Sequence, residues 1–248
     1  MFPLIYDVAR PIVAVWLSIL CRREVRRRTA TLPEGPLIIV SNHLSWIDIP
    51  LLGLCFRRRI AFMAKKEYFQ SPFHRVLVRA FGGFTVERGV VDRTALDVAS
   101  MVLRDGRALG IFPEGTRSRT MQLQRGRLGA AFLAARSGAY IVPVGISGTE
   151  KIRQRYEDRR MLLRRPRVTV NIGEPFRLPL IEAKPNRAQL AAYTETIMRR
   201  VAELLPESYR GVYRTGGPAG GDWADSSQGP KESRHQHQSA AGDRDGNQ

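Results

Sequence analysis

Between residues 37 and 172, six short apolar runs rich in β-branched residues alternate with segments of helical period. The runs are 37–40 (LIIV), 60–63 (IAFM), 84–86 (FTV), 109–112 (LGIF), 140–146 (YIVPVGI) and 168–172 (VTVNI). Helical patterns occupy 47–55, 72–80, 92–104, 125–137 and 186–205. Strands separated by helix-length segments point to an α/β domain. No internal repeat or linker divides the region, so one domain is expected over residues 29–214. A chain of 248 residues with 43 % apolar side chains can bury a core of that size.

The two ends differ from this middle. Residues 11–21 (PIVAVWLSILC) are uncharged for only eleven positions, too few for a membrane-spanning helix. At helical period Ile5, Val8, Ile12, Val15, Trp16, Ile19 and Leu20 form a broad apolar face, with Asp7, Arg10, Ala14, Ser18 and Cys21 opposite. Pro11 is expected to kink this helix or to start a second one. Five arginines follow in RREVRRR at 22–28. An apolar helix followed by basic residues suits a membrane interface, where each cation adds about 1 kcal/mol near anionic headgroups. A helix docked on the protein's own core with a solvated basic end fits the same residues. Residues 1–28 are therefore expected to be an amphipathic interface helix with its basic cluster, outside the α/β domain. The charge follows the apolar stretch, unlike a secretory signal. Residues 215–248, rich in Gly, Ser, Gln and Asp, are expected to be a disordered tail, with His235 and His237 solvated in it.

The formal charge is +17, and the tail is net negative, so the first 214 residues carry +19. Anionic partners are implied. No helix-turn-helix, zinc-finger or aromatic RNA-binding pattern accompanies the charge, so no nucleic acid is expected, and a basic nucleic-acid-binding protein stands as the alternative from another class. The two cysteines form no disulfide framework and no metal-ligand spacing, which favours a reducing compartment.

Chemistry is expected where strands hand over to helices. His43 directly follows the run LIIV in SNHLSWIDIP, and Asp48 lies five residues on. A carboxylate on one ring nitrogen leaves the other as a base. The same residues also read as a capping box, with Ser45 as N-cap and Asp48 at N3. FPEGTRSR at 112–119 offers Glu114, Thr116, Arg117 and Arg119 on a loop shaped by Pro113 and Gly115, suited to a phosphate. It is not a nucleotide-binding P-loop, because Arg117 follows Thr116 where Lys-Ser/Thr is required. GGFTVERG at 82–89 places Arg88 at a strand end. No GxSxG nucleophile elbow occurs, so the chemistry available is one general base without a covalent intermediate.

In chain order these segments resemble the lysophosphatidic acid acyltransferase family. NHLSWID at 42–48 is similar to its His-x4-Asp block, GGFTVER at 82–88 to the block ending in Arg, FPEGTRS at 112–118 to the Glu-Gly-Thr-Arg block, and IVPVGI at 141–146 to the Pro-containing strand. KKEYFQSPF at 65–73 resembles the stretch before the second block. The resemblance implies an α/β fold with a mixed central sheet flanked by helices, preceded by the N-terminal helix. It implies His43 as general base, Asp48 as its orienting partner, and Arg88, Glu114, Gly115, Thr116 and Arg117 around the acceptor and its phosphate. Pro143 would sit beside the acyl-chain groove. The implied donor is acyl carrier protein or coenzyme A carrying a thioester, and the acceptor lysophosphatidic acid, with glycerol-3-phosphate or a non-phosphate lysolipid as alternatives. No metal and no other cofactor is required. The implied location is the cytoplasmic face of the cell membrane, peripheral or monotopic, against anionic lipids. Two departures stand out: the N-terminal element is short, about 25 residues, and His74 falls where the family favours a small residue. His74 is read as structural or superficial.

Overall fold

The computed structural model describes residues 2–65, 84–86, 93–152 and 165–214. The helix expected at 72–80, the residues Arg88 and His74, most of 65–73 and the tail with His235 and His237 lie outside the described residues. Among those described, seven strands form one mixed sheet in the order β1-β7-β6-β2-β5-β3-β4. Six are the apolar runs: β2 (Leu37–Ser41), β3 (Ile60–Lys65), β4 (Phe84–Val86), β5 (Ala108–Ile111), β6 (Tyr140–Ser147) and β7 (Arg167–Ile172). β6, β2, β5, β3 and β4 run parallel, while β7 is antiparallel to β6.

Helices cover both faces. On one side α1 (Phe2–Leu20) and α2 (Asp48–Cys55) pack over Leu37, Ile39, Val142 and Val144. On the other, α3 (Arg93–Arg104), α4 (Gly129–Ser137) and α5 (Arg187–Ala202) pack over Ile38, Val40, Leu109 and Ile141. Successive residues of β2 thus enter different cores, and all five are buried. A central strand covered on both faces must be apolar throughout, which is why LIIV stands out in the sequence.

The seventh strand corrects the expected domain layout. Residues of the basic cluster form β1 (Arg22–Arg27), which pairs in parallel with β7 from Arg22 opposite Arg167 to Arg27 opposite Ile172. The sheet therefore begins inside the segment assigned to the interface helix, and only Cys21 separates it from α1. Two of the arginines have structural work here. Arg23 donates to Ser18 Oγ (2.9 Å) and to the Ala14 carbonyl (3.4 Å) near the negative end of α1. Arg27 donates to the Cys55 carbonyl and lies over the Phe56 ring.

α1 runs through Pro11 as one helix. Its burial also departs from a single apolar face. Tyr6, Val13, Leu17 and Leu20 are buried on the core, and so is Cys21, which was placed on the polar stripe. Each such burial contributes about 1.5–3 kcal/mol before entropic costs. On the nearly opposite side, Val8, Ile12, Val15 and Ile19 are 55–64 % exposed. At about 100° per residue these four align in one stripe. The helix is thus docked on the protein's own core and still presents an apolar stripe outward. No helix among the described residues is long and apolar enough to cross a membrane.

Candidate active site

The carboxyl ends of three adjacent parallel strands converge on His43. β2 leads into Asn42 and His43, β5 into 112–118, and β6 into 147–149. The three segments are tied to one another. Asn42 Nδ2 donates to the Ile146 carbonyl and its Oδ1 accepts from Ile146 N–H, both at 2.8 Å. His43 N–H donates to Glu114 Oε1 (2.9 Å), and the His43 carbonyl accepts from Ser118 N–H (2.8 Å). The histidine backbone is held on both sides by the loop after β5.

The imidazole is fixed as firmly. Nδ1 lies 2.9 Å from Asp48 Oδ2, and the ring stacks on Phe112 with centroids 4.1 Å apart. Its side chain keeps 13 % exposure, whereas Asp48 has none. The proton state that suits this geometry is N–H on Nδ1, donated to Asp48, with Nε2 left as the acceptor. Asp48 Oδ2 also accepts from Leu44 N–H and Ser45 N–H, each at 2.7 Å, and Oδ1 accepts from the buried Thr149 hydroxyl at 2.7 Å. Four donors on one buried carboxylate lock its position.

The capping reading is half realised. α2 starts at Asp48, its N-cap is Ile47, and no side chain caps it. Asp48 reaches back to the Ser45 N–H as an N3 carboxylate does, but the Ser45 side chain does not reciprocate. The carboxylate serves the histidine and the turn together, so the two roles coexist.

In the 112–118 loop the side chains divide. Glu114 is buried, and its two oxygens accept from His43 N–H and Gln124 N–H (3.0 Å). It therefore fastens two backbone segments, a use that its expected place around the acceptor did not include. Gly115, Thr116 and Arg117 are exposed beside it. Gly115 has φ +69°, the left-handed region where a Cβ is strained. Pro143 is buried in mid-β6 opposite Val40. It lines a small cleft of about 110 Å³ together with Arg28, Gly173, Glu174, Arg200, Glu203 and Leu204. Arg88 lies outside the described residues. Among the described residues no three of His, Cys, Asp and Glu converge as metal ligands.

Asn42 and Thr149 were not among the residues singled out from the sequence. Their partners lie 104 and 101 residues away, a pairing that no local pattern encodes.

Burial pushes the Glu114 carboxyl up to about 7, outweighing the pull of the Gln124 and His43 N–H groups. Unfolded, it ionises near 4.5. Between those values the folded protein holds a proton that the unfolded chain has lost. The stability from this group is thus fully present below about pH 4.5 and falls as pH rises through about 7. Glu114→Gln cannot titrate and loses one acceptor. Its deficit against wild type in urea unfolding is expected to be larger at pH 5 than at pH 8, and a deficit independent of pH would contradict a protonated buried carboxyl.

Known proteins share both the fold and the sequence pattern. The profile of the family described as Acyltransferase matches residues 22–147, beginning at the first residue of β1. A 1-acyl-sn-glycerol-3-phosphate acyltransferase of Bacillus subtilis is 30 % identical over 173 residues, 69 % of this chain and 82 % of that protein. A lyso-ornithine lipid O-acyltransferase of Pseudomonas aeruginosa is 37 % identical over 138 residues, 53 % of this chain and 52 % of that protein. Among solved structures, the 1-acyl-sn-glycerophosphate acyltransferase PlsC of Thermotoga maritima superposes with a TM-score of 0.57 at 27 % identity, covering 82 % of this chain and 79 % of that one.

Proposed function

The chain belongs to the acyltransferase family and is an acyltransferase, and on that premise we propose that it acylates the free hydroxyl of 1-acyl-sn-glycerol-3-phosphate, giving phosphatidic acid. The single observation behind this reading is the His43–Asp48 pair at 2.9 Å, held on the same loop cluster as the exposed Arg117. The next residue, Ser118, is bonded to the His43 carbonyl through its N–H, so the base and the exposed cation share one loop cluster. His43 Nε2 takes the proton of the acceptor hydroxyl as its oxygen attacks the thioester carbonyl. The C–S bond breaks, the thiolate leaves with the bonding pair, and the imidazolium passes its proton to that thiolate or to solvent. Asp48 offsets the charge that His43 gains, and no acyl-enzyme is formed. Arg117 and Arg88 hold the acceptor phosphate, with Gly115 and Thr116 shaping the loop. The donor is the thioester of acyl carrier protein or coenzyme A, and no metal or other cofactor takes part.

A second reading concerns the acceptor alone. The relative named for lyso-ornithine lipid favours a lysolipid with another headgroup, attacked through the same base. Purified full-length protein supplied with palmitoyl and oleoyl thioesters and a panel of acceptors separates the two by mass spectrometry. Phosphatidic acid formed from lysophosphatidic acid supports the first reading. Product formed only from lyso-ornithine lipid would replace it with the second.

The membrane enters through α1. The exposed stripe Val8, Ile12, Val15 and Ile19 lies along a helix whose Trp16 ring is 5.6 Å from Trp46, three residues from His43. Inserting that stripe into a lipid interface brings the catalytic loop to the surface where a lysolipid resides. The protein is then peripheral, and its thioester donors place it on the cytoplasmic face. Changing Ile12 and Ile19 together to Glu is expected to lower partitioning into anionic vesicles by about 100-fold, since each side chain contributes about 1.5 kcal/mol or more. Both residues point away from the core, so the melting temperature should stay put. Unchanged sedimentation with vesicles would remove α1 from the membrane contact.

A further inference from the structure

Phosphate recognition was read from the sequence onto Arg88 and the 114–117 block, but the structure brings another arginine to that block. A Cβ built on Gly115 would lie 2.6 Å from Arg127 Nε, 2.9 Å from its Cδ and 3.1 Å from its Cζ. The guanidinium therefore lies across the bare Cα of Gly115, next to Thr116 and two residues from Arg117. The Arg127 N–H donates to the Pro113 carbonyl at 2.8 Å, which closes 113–127 into a loop and fixes where its side chain starts. The same loop is fastened to the His43 backbone through Glu114 and Ser118.

The charge of Arg127 is not spent on the protein. Its residue is exposed, and among the described residues its side chain has no ion pair or hydrogen bond. Glu114, the carboxylate adjoining Gly115, is turned inward with both oxygens taken by backbone N–H groups. Arg117 is likewise exposed and unpaired among the described residues. One unneutralised guanidinium thus lies on Gly115, and a second belongs to the residue two positions on, in the loop fastened to the His43 backbone. α4 begins just after Arg127 with no side chain capping its first turn, so the partial positive charge there adds to theirs. A planar fork seated against a glycine, with N–H donors that no protein group takes among the described residues, suits a tetrahedral dianion better than a point charge would.

We propose that Arg127 is a further acceptor-binding residue, which grips the phosphate monoester of the acceptor together with Arg117. The inference rests on the phosphate-acceptor reading above. It also gives Gly115 a definite duty, since any side chain there would push the guanidinium off its seat.

Steady-state kinetics of the full-length enzyme with lysophosphatidic acid tests it, with sn-glycerol 3-phosphate as a soluble competitor. Arg127→Gln is expected to raise the acceptor KM and the inhibition constant of glycerol 3-phosphate by about tenfold, the loss of one charge-assisted contact. kcat, the thioester KM and the melting temperature should stay within experimental error of wild type, and Arg127→Lys should recover part of the affinity. A structural role predicts the reverse pattern, a lower melting temperature and kcat with an unchanged acceptor KM, and that result would overturn the proposal. So would equal constants for all three proteins. If the wild-type enzyme acylates no phosphate acceptor and glycerol 3-phosphate does not inhibit it, the acceptor reading itself fails and Arg127 falls with it. That outcome is seen before any variant is compared.

Discussion

His43→Ala is expected to lower turnover by about 10²–10⁴-fold, the range that a positioned general base supplies, while the protein stays folded. The two expectations come from different parts of the residue. The proposed catalysis uses the imidazole, whose Nδ1 faces Asp48. The fold needs the backbone, whose N–H and carbonyl are bonded to Glu114 and Ser118 whatever the side chain. Truncation removes the stacking on Phe112, about 0.5–1.5 kcal/mol, and leaves Asp48 with its bonds to Leu44, Ser45 and Thr149. A thioester-release assay beside a thermal melt checks both halves. Retained turnover would remove His43 from the chemistry, and a collapsed melt would make it a structural residue.

The parts of this molecule that could be read from its sequence are those where one local constraint acts alone. β2, β5 and β6 lie between two helical layers, so nothing but apolar residues satisfies them, and LIIV, LGIF and YIVPVGI are legible as strands. β1 is the counterexample. As the edge strand RREVRR it meets a neighbour only on β7, and most of its residues face water. Arginine stems suffice there, and the charges that discourage edge pairing hide the strand from a search for apolar runs. α1 fails for another reason. A helix apolar on two sides has a hydrophobic periodicity that says it is amphiphilic but not which side meets the core. Only the docking of Tyr6, Val13, Leu17 and Leu20 separates the two faces.

The site shows the same division. His43 and Asp48 are five residues apart on one turn, so their meeting could be anticipated from spacing and strand ends. Glu114 stands out in the 112–118 loop by its residue type, yet its inward orientation depends on the His43 and Gln124 N–H groups, which spacing does not reveal. Asn42 joins β2 to β6, and Thr149 joins β6 to α2, through contacts that exist only once the sheet is assembled. Arg127 belongs with them: ten residues past Arg117 in the chain, it returns to Gly115 because the loop closes on Pro113.

Asp48→Ala is expected to cost both activity and fold, which distinguishes it from His43→Ala. The carboxylate has no solvent exposure and serves four donors. Its removal leaves two backbone N–H groups and the Thr149 hydroxyl facing a void, and each unsatisfied buried group costs about 1–3 kcal/mol. A total near 3–5 kcal/mol follows if the turn relaxes in part, a large share of the 5–15 kcal/mol that holds a typical domain together. Turnover should fall at least as far as in His43→Ala, because the imidazole loses both its tautomer and its aim. Asp48→Asn separates the two effects. Its amide keeps the volume and one acceptor oxygen, so more than half of the lost stability should return. With its oxygen at the Oδ2 position the amide still accepts from His43 Nδ1–H, Leu44 N–H and Ser45 N–H, but being neutral it does not offset an imidazolium, so turnover should stay far below wild type. Urea unfolding and turnover measured on the same three proteins give the comparison. An Asp48→Ala variant as stable as wild type would mean that the four bonds contribute nothing in solution. An active Asp48→Asn variant would mean that the anion is not needed, and the reaction would then proceed without a charge-stabilised base.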